Sequence, residues 1–184
     1  MTDYFFCDIL RLRQLIDLFK REASLKKEDT VILAYSFGYC RKNPGMSNRA
    51  LAKIVEKVYQ ATSDPVILQG EIAECVNFKP TLVINDYHIQ DGFFRARHLN
   101  IKEVTAQAID FMKSEDMSCI WLIVHPSIYR VTCQRLLKKQ GFKVLTPKVG
   151  KLPFDQKSEQ WWTRSLWQLF LYSVWQKFIP SDDL

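Results

Sequence analysis

Residues 119–124 read Cys-Ile-Trp-Leu-Ile-Val (CIWLIV). No polar residue interrupts them. A strand with one wet face alternates apolar and polar side chains. A short unbroken apolar run reads instead as a strand buried on both faces, as in the centre of a parallel sheet. His125-Pro126-Ser127 closes the run. Ser127–Gln140 then reads as a helix, with Gly141 at the position that commonly stops one. Phe142–Leu145 is the next strand.

The same alternation runs upstream. Val31–Ser36 is a short apolar run ending in small residues, so it reads as a buried strand. Ser47 to Ala61 has helical spacing through Leu51, Ile54, Val55 and Val58, with Ser47 as the expected N-cap. Pro65–Gln69 is a second strand, Ile72–Phe78 a short helix and Thr81–Asn85 a third strand. Asp86–Asn100 carries His88, Gly92, Arg95, Arg97 and His98 without clear periodicity. Ile101–Lys113 is helical. This order predicts an α/β fold, a three-layer α/β/α sandwich around a mostly parallel sheet.

The two ends differ from the middle. In residues 3–20, Phe5, Ile9, Leu12, Ile16 and Phe19 recur at helical steps and make one apolar stripe. A charged loop follows, so residues 1–29 form a helix and loop ahead of the first strand. At the other end WWTRSLWQLFLYSVWQKF (161–178) holds four of the five tryptophans and two charges, Arg164 and Lys177. A helix apolar nearly all round is buried, paired with another subunit, or laid on a membrane surface. Packing on the domain with a homodimer contact is the main reading, and peripheral membrane contact the alternative.

The chain has 184 residues and a formal charge of +6. That length suits one domain, 1–184. Apolar residues at 47% with few glycines and prolines exclude disorder as the main state. Cys7, Cys40, Cys75, Cys119 and Cys133 include no CxxC pair, and three histidines complete the set. No metal site is expected, and the thiols read as free in a reducing compartment. MTDYFFCDILRLRQ lacks the apolar core of a secretory signal, and no stretch approaches a membrane span. A cytoplasmic location is expected. Residues 127–151 carry seven basic residues and no acid, but no aromatic interleaving or binding motif, so they read as a solvated face and not a nucleic-acid surface.

In open parallel sheets, ligands gather beyond the carboxyl ends of the strands. That rule selects Ser36–Gly45, Gln69–Glu71, Asp86–Arg97 and His125–Arg130. The first loop reads SFGYCRKNPGMSNR, with neither GxGxxG nor GxxxxGK[ST], which disfavours dinucleotide binding and P-loop hydrolysis. A phosphate or carboxylate at the Ser47 helix start, with Arg49 nearby, remains open beside simple capping and a solvated arginine. Gly70 lets a ligand approach the backbone. Glu71 is a cap, a ligand contact or an acid–base group. His125 is a general base, a donor or a structural histidine. Arg130, one turn into its helix, faces the same crevice or solvent.

Taken together, VILAYSFG (31–38), GMSNRALAKIVEKVY (45–59), VILQGEIAE (66–74), IKEVTAQAIDFM (101–112), IWLIVHPSIYRVTCQRLLKKQGFKV (120–144) and PFDQKSEQWWTRSLWQLF (153–170) resemble the ElyC/SanA/YdcF family. The likeness spans about residues 30–178, and Phe154 to Arg164 is its most distinctive part. The resemblance implies a Rossmann-like fold. It implies a ligand site at Ser36, Gly38, Ser47, Arg49, Gln69, Gly70, Glu71, His125 and Arg130, joined by Ser127 from the loop reading. One relative binds S-adenosylmethionine without an established transferase reaction, and others serve envelope integrity. Two departures stand out. The first loop, AYSFGYC, is poorer in glycine than in many relatives. Ser127, Ile128 and Tyr129 stand where relatives commonly place a histidine before the arginine.

The expected function is binding of a nucleoside-like or anionic small molecule, with S-adenosylmethionine as the leading candidate. Glu71 and His125 are the candidate catalytic residues for group transfer or hydrolysis. Ser36, Gly38, Ser47, Arg49, Gln69, Gly70, Ser127 and Arg130 are the candidate ligand contacts. The alternative is a non-catalytic interaction protein of cell-envelope maintenance that docks a partner or a membrane surface through its Trp-rich helix.

Overall fold

The computed structural model describes residues 29–175 apart from 41–42, 86, 91–92 and 97–98. The predicted helix over 3–20, most of the charged loop after it, and residues 176–184 lie outside the described residues.

Five strands form one all-parallel sheet. They are β1 (Thr30–Ala34), β2 (Val66–Gln69), β3 (Leu82–Ile84), β6 (Cys119–Ile123) and β7 (Lys143–Leu145), in the order β3-β2-β1-β6-β7. The apolar run Cys119–Ile123 is thus an inner strand, paired with β1 from Thr30↔Cys119 to Ala34↔Ile123 and with β7 from Cys119↔Lys143 to Trp121↔Leu145. The chain builds outward from β1 through β2 to β3, then crosses to β6 and continues to β7. The switch point of this Rossmann-like α/β sheet therefore lies between β1 and β6.

Side chains alternate across the strands and fill two cores. Val31, Leu33, Ile120 and Leu122 meet α3 (Ile101–Ser114) and α4 (Ile128–Lys139) through Val104, Ala108, Met112, Cys133 and Leu137. Ile32, Ala34, Trp121 and Ile123 meet α1 (Gly45–Thr62) through Leu51, Ala52, Val55 and Val58. All of these but Trp121 are essentially inaccessible. Each fully buried Leu or Ile contributes roughly 1.5–3 kcal/mol over its exposed state. Truncating Leu33 to alanine would cost about 2–5 kcal/mol.

Local signals set the helix ends. Asn100 caps α3 in a reciprocal capping box with Glu103. Gly141, at φ +91°, ends α4. Its N–H donates to Lys138 and the Phe142 N–H to Leu137, the paired bonds of a Schellman stop.

Four expectations are corrected. First, α1 begins at Gly45 with Pro44 at the cap position, so Ser47 is not the N-cap. Second, the short helix after β2, α2, covers Gly70–Ala73 instead of Ile72–Phe78. Third, the stretch without periodicity folds as an antiparallel hairpin, β4 (Tyr87–Gln90) with β5 (Phe93–Ala96). Fourth, the Trp-rich tail is two pieces. Trp161–Thr163 form a 3-10 turn, and α5 covers Leu166–Trp175. Ser165 breaks the helix because its hydroxyl accepts from the Gln168 N–H. α5 inserts only Leu169 fully into the core. Among the described residues, no helix is long and apolar enough to cross a membrane.

Candidate functional site

The loop after β1 runs over the carboxyl edge of the sheet, and several of its backbone donors are met by the chain itself. The Ser36 N–H donates to Gln69 Oε1 at 3.1 Å, which ties the end of β1 to the end of β2. The Phe37 N–H donates to Asn48 Oδ1 at 2.7 Å, and the Asn48 amide donates in turn to the Gly38 and Pro44 carbonyls. Gly38, at φ +85°, is forced by geometry and by space. A Cβ there would lie 2.9 Å from Thr163 Oγ1.

Residues 152–164 lie across this loop as a strap. Ser158 Oγ accepts from the Tyr39 N–H at 3.0 Å, and Thr163 Oγ1 bonds to Ser158 Oγ at 2.8 Å. The Glu159 N–H donates to the Tyr39 carbonyl, and Arg164 Nε donates to the Ser158 carbonyl. Asp155 is 5% exposed, and its Oδ2 accepts from the Met46 N–H at 3.0 Å in the first turn of α1. The helix start considered above for a phosphate thus holds a carboxylate of the same chain, in a favourable position for negative charge. Ser47 is fully buried and donates to the Pro153 carbonyl at 2.7 Å, so its hydroxyl ties down the strap. Arg49 is exposed and donates to the Asn43 side chain.

The β6 side of the switch point is arranged differently. His125 is 3% exposed. Its ring stacks on Phe37 at 3.9 Å and meets Phe154 edge-on at 4.8 Å. Neither ring nitrogen makes a hydrogen bond of good geometry, and Ser127 Oγ is buried and unbonded as well. Burial pushes the His125 pKa down from 6.5 to about 4, against smaller opposing effects from the nearby Leu152 and Pro153 backbone. The imidazole is therefore neutral at physiological pH. Tyr129 packs edge-on to Phe37 and against both cores. Burial, chiefly, raises its phenol pKa well above the ordinary value, and the nearby Glu71 carboxylate adds to this.

Loops β1, β2 and β6 thus bring Ser36, Gly38, Gln69 and His125 together through direct contacts and shared neighbours, and Tyr129 links Glu71 to the same edge. Gly70 begins α2, where a Cβ would lie 2.7 Å from Asn85 Oδ1. Arg130 is half-buried, and its N–H donates to the Ser127 carbonyl at the start of α4. Ser47 and Arg49 turn to the strap and to solvent. The β4–β5 hairpin carries His88 and Arg95 across from one another in its register.

Asn48, Asp155, Ser158 and Thr163 were not among the candidate site residues, yet they decide the shape of the β1 loop. Among the described residues, no group of His, Cys, Asp and Glu is placed to hold a metal ion. Burial raises the pKa of each described thiol, to about 12 for Cys133, so none is an activated nucleophile. An acid just past β2 suits ribose hydroxyls, and the open His125 and Ser127 groups suit a base or a hydroxyl. An anionic end would find the β1-loop amides named above already bonded.

Compared with family models, curated proteins and solved structures, the chain matches none.

Proposed function

We propose that the protein binds a nucleoside-like or anionic small molecule over the carboxyl edge of the sheet, between the loops after β1, β2 and β6. S-adenosylmethionine is the leading candidate. One observation carries the reading. At the switch point the buried Ser127 Oγ has no hydrogen-bond partner, and neither ring nitrogen of the buried His125 makes a hydrogen bond of good geometry, with the Leu152 and Pro153 backbone beside the ring. A buried polar group left unpaired costs about 1–3 kcal/mol, so a ligand that pairs with it recovers that cost. Glu71 holds the ribose hydroxyls or serves as acid–base, and Arg130 contacts the outer end of the ligand. His125, as a neutral imidazole, offers both an acceptor and a donor. If the bound molecule reacts, group transfer or hydrolysis suits these residues. The test is thermal shift against a nucleoside and metabolite panel including S-adenosylmethionine. A stabilisation lost in Glu71→Ala and in Arg130→Ala supports the reading, and no stabilisation by any member refutes it.

A second reading has its own observation. α5 leaves Leu166, Trp167, Phe170, Leu171, Val174 and Trp175 exposed, with Trp167 at 66%. Contiguous exposed apolar surface of this kind marks interaction sites. In that reading the protein is a non-catalytic interaction protein of cell-envelope maintenance, docking a partner or a membrane surface. Partner or liposome binding abolished by Trp167→Ser with Trp175→Ser, with no ligand response, favours it.

A further inference from the structure

Sheets of this topology commonly bind phosphate groups with the amides of the loop after the first strand and the first turn of the following helix. Here five of those donors have partners on this chain's own side chains. The Ser36 N–H is held by Gln69, the Phe37 N–H by Asn48, the Tyr39 N–H by Ser158 and the Met46 N–H by Asp155. The Gly45 N–H goes to Asn43 Oδ1 at 3.1 Å. Side chains of β2, α1 and the strap fill the cradle. One of them, Asp155, brings a negative charge, and Gly45 makes room for it, since a Cβ there would run into the Asp155 carboxylate. A phosphate would have to displace the carboxylate of Asp155, a buried residue held by further contacts. Its Oδ1 accepts from the Lys157 N–H, its backbone N–H donates to Thr163, and Cys40 Sγ lies 3.7 Å from Oδ2. The unpaired Ser127 Oγ and the His125 nitrogens, which make no hydrogen bond of good geometry, lie on the other side of the switch point, and both groups are uncharged at neutral pH.

We infer that a ligand held at this edge of the sheet carries no phosphate at the β1–α1 end: it is a nucleoside, or a nucleoside joined to a phosphate-free group. This rests on the proposed function, that the edge is a ligand site. It narrows the class from nucleoside-like or anionic molecules to those whose recognition uses neutral hydrogen-bonding groups. The chain's own carboxylate stands where a phosphate would bind and repels it.

The test is calorimetric titration of the whole protein with adenosine, AMP and ADP, with inorganic phosphate followed by thermal shift against chloride at equal ionic strength. Adenosine is expected to bind at least tenfold more tightly than AMP or ADP, and phosphate is expected to leave the melting temperature unchanged. In Asp155→Ala, acetate or phosphate is expected to restore part of the lost melting temperature by refilling the cradle. If that variant does not fold, Asp155→Asn, which keeps an acceptor and loses the charge, should narrow the gap between adenosine and AMP. AMP or ADP binding as tightly as adenosine to the unaltered protein overturns the inference and leaves the binding site standing. Binding by none of the three overturns the site and the inference together.

Discussion

His125 makes stability depend on pH in a direction that can be worked out in advance. Its pKa is about 4 in the folded protein, against an ordinary 6.5 once the chain unfolds. The unfolded state therefore takes up a proton first. Stability is complete about one pH unit above 6.5 and falls as the pH drops through 6.5 toward 4. A gap of that size corresponds to about 3 kcal/mol in all, of which roughly 2 kcal/mol is lost between pH 8 and pH 5. The ring is almost fully buried, so solvent screening takes little from this figure. Carboxylates titrate over part of the same range, so the measurement is a difference. His125→Phe keeps an aromatic ring against Phe37 and Phe154 and removes the titration. Urea unfolding of both proteins is followed at half-unit steps from pH 8 to pH 5. The unaltered protein is expected to lose about 2 kcal/mol relative to the variant, most of it below pH 6.5. Two parallel curves would refute the claim that a neutral, desolvated imidazole sits at the switch point.

Other consequences follow from the same contacts. Asn48→Ala strands the Phe37 N–H and two carbonyls, and chemical denaturation should show a loss of about 3 kcal/mol. Gly38→Ala places a Cβ against Thr163 at positive φ and should cost roughly 2 kcal/mol or more, while Gly141→Ala, at positive φ but in open space, should cost about 1 kcal/mol. Trp167→Ser with Trp175→Ser should leave the urea midpoint nearly unchanged, within about 0.5 kcal/mol per site, because both rings are exposed.

The sheet was legible because its inner strands are continuous apolar runs. CIWLIV needed no partner to be recognised, and Gly141 marked its helix stop by the φ it adopts. The strand order was not legible, since alternation of elements does not say on which side of β1 the fourth parallel strand settles. The hairpin carries a local signal in the sequence. Asp91-Gly92 stands between two four-residue strands, a spacing typical of tight hairpin turns. Ser47 misled for a physical reason. Its residue type suits a cap, but a carbonyl 106 residues away takes its hydroxyl. The loops after β1, β2 and β6 are neighbours because parallel strands end on one edge, yet the filling of the β1 cradle is hidden from the sequence. Asp155 and Ser158 reach it across 109 and 119 residues, and no local pattern announces such a contact. The tail was read as one helix because apolar residues persist through Arg164-Ser165, and the Ser165 cap outweighed that continuity.

The most direct measurement follows the ring nitrogens of His125 by nitrogen-15 NMR while adenosine, and separately S-adenosylmethionine, is titrated into the protein. Ring nitrogens that gain a ligand partner are expected to shift progressively and to saturate, and His125→Phe identifies the resonances. Signals that hold their positions up to millimolar concentrations of both compounds would contradict the claim that this edge of the sheet is a binding site.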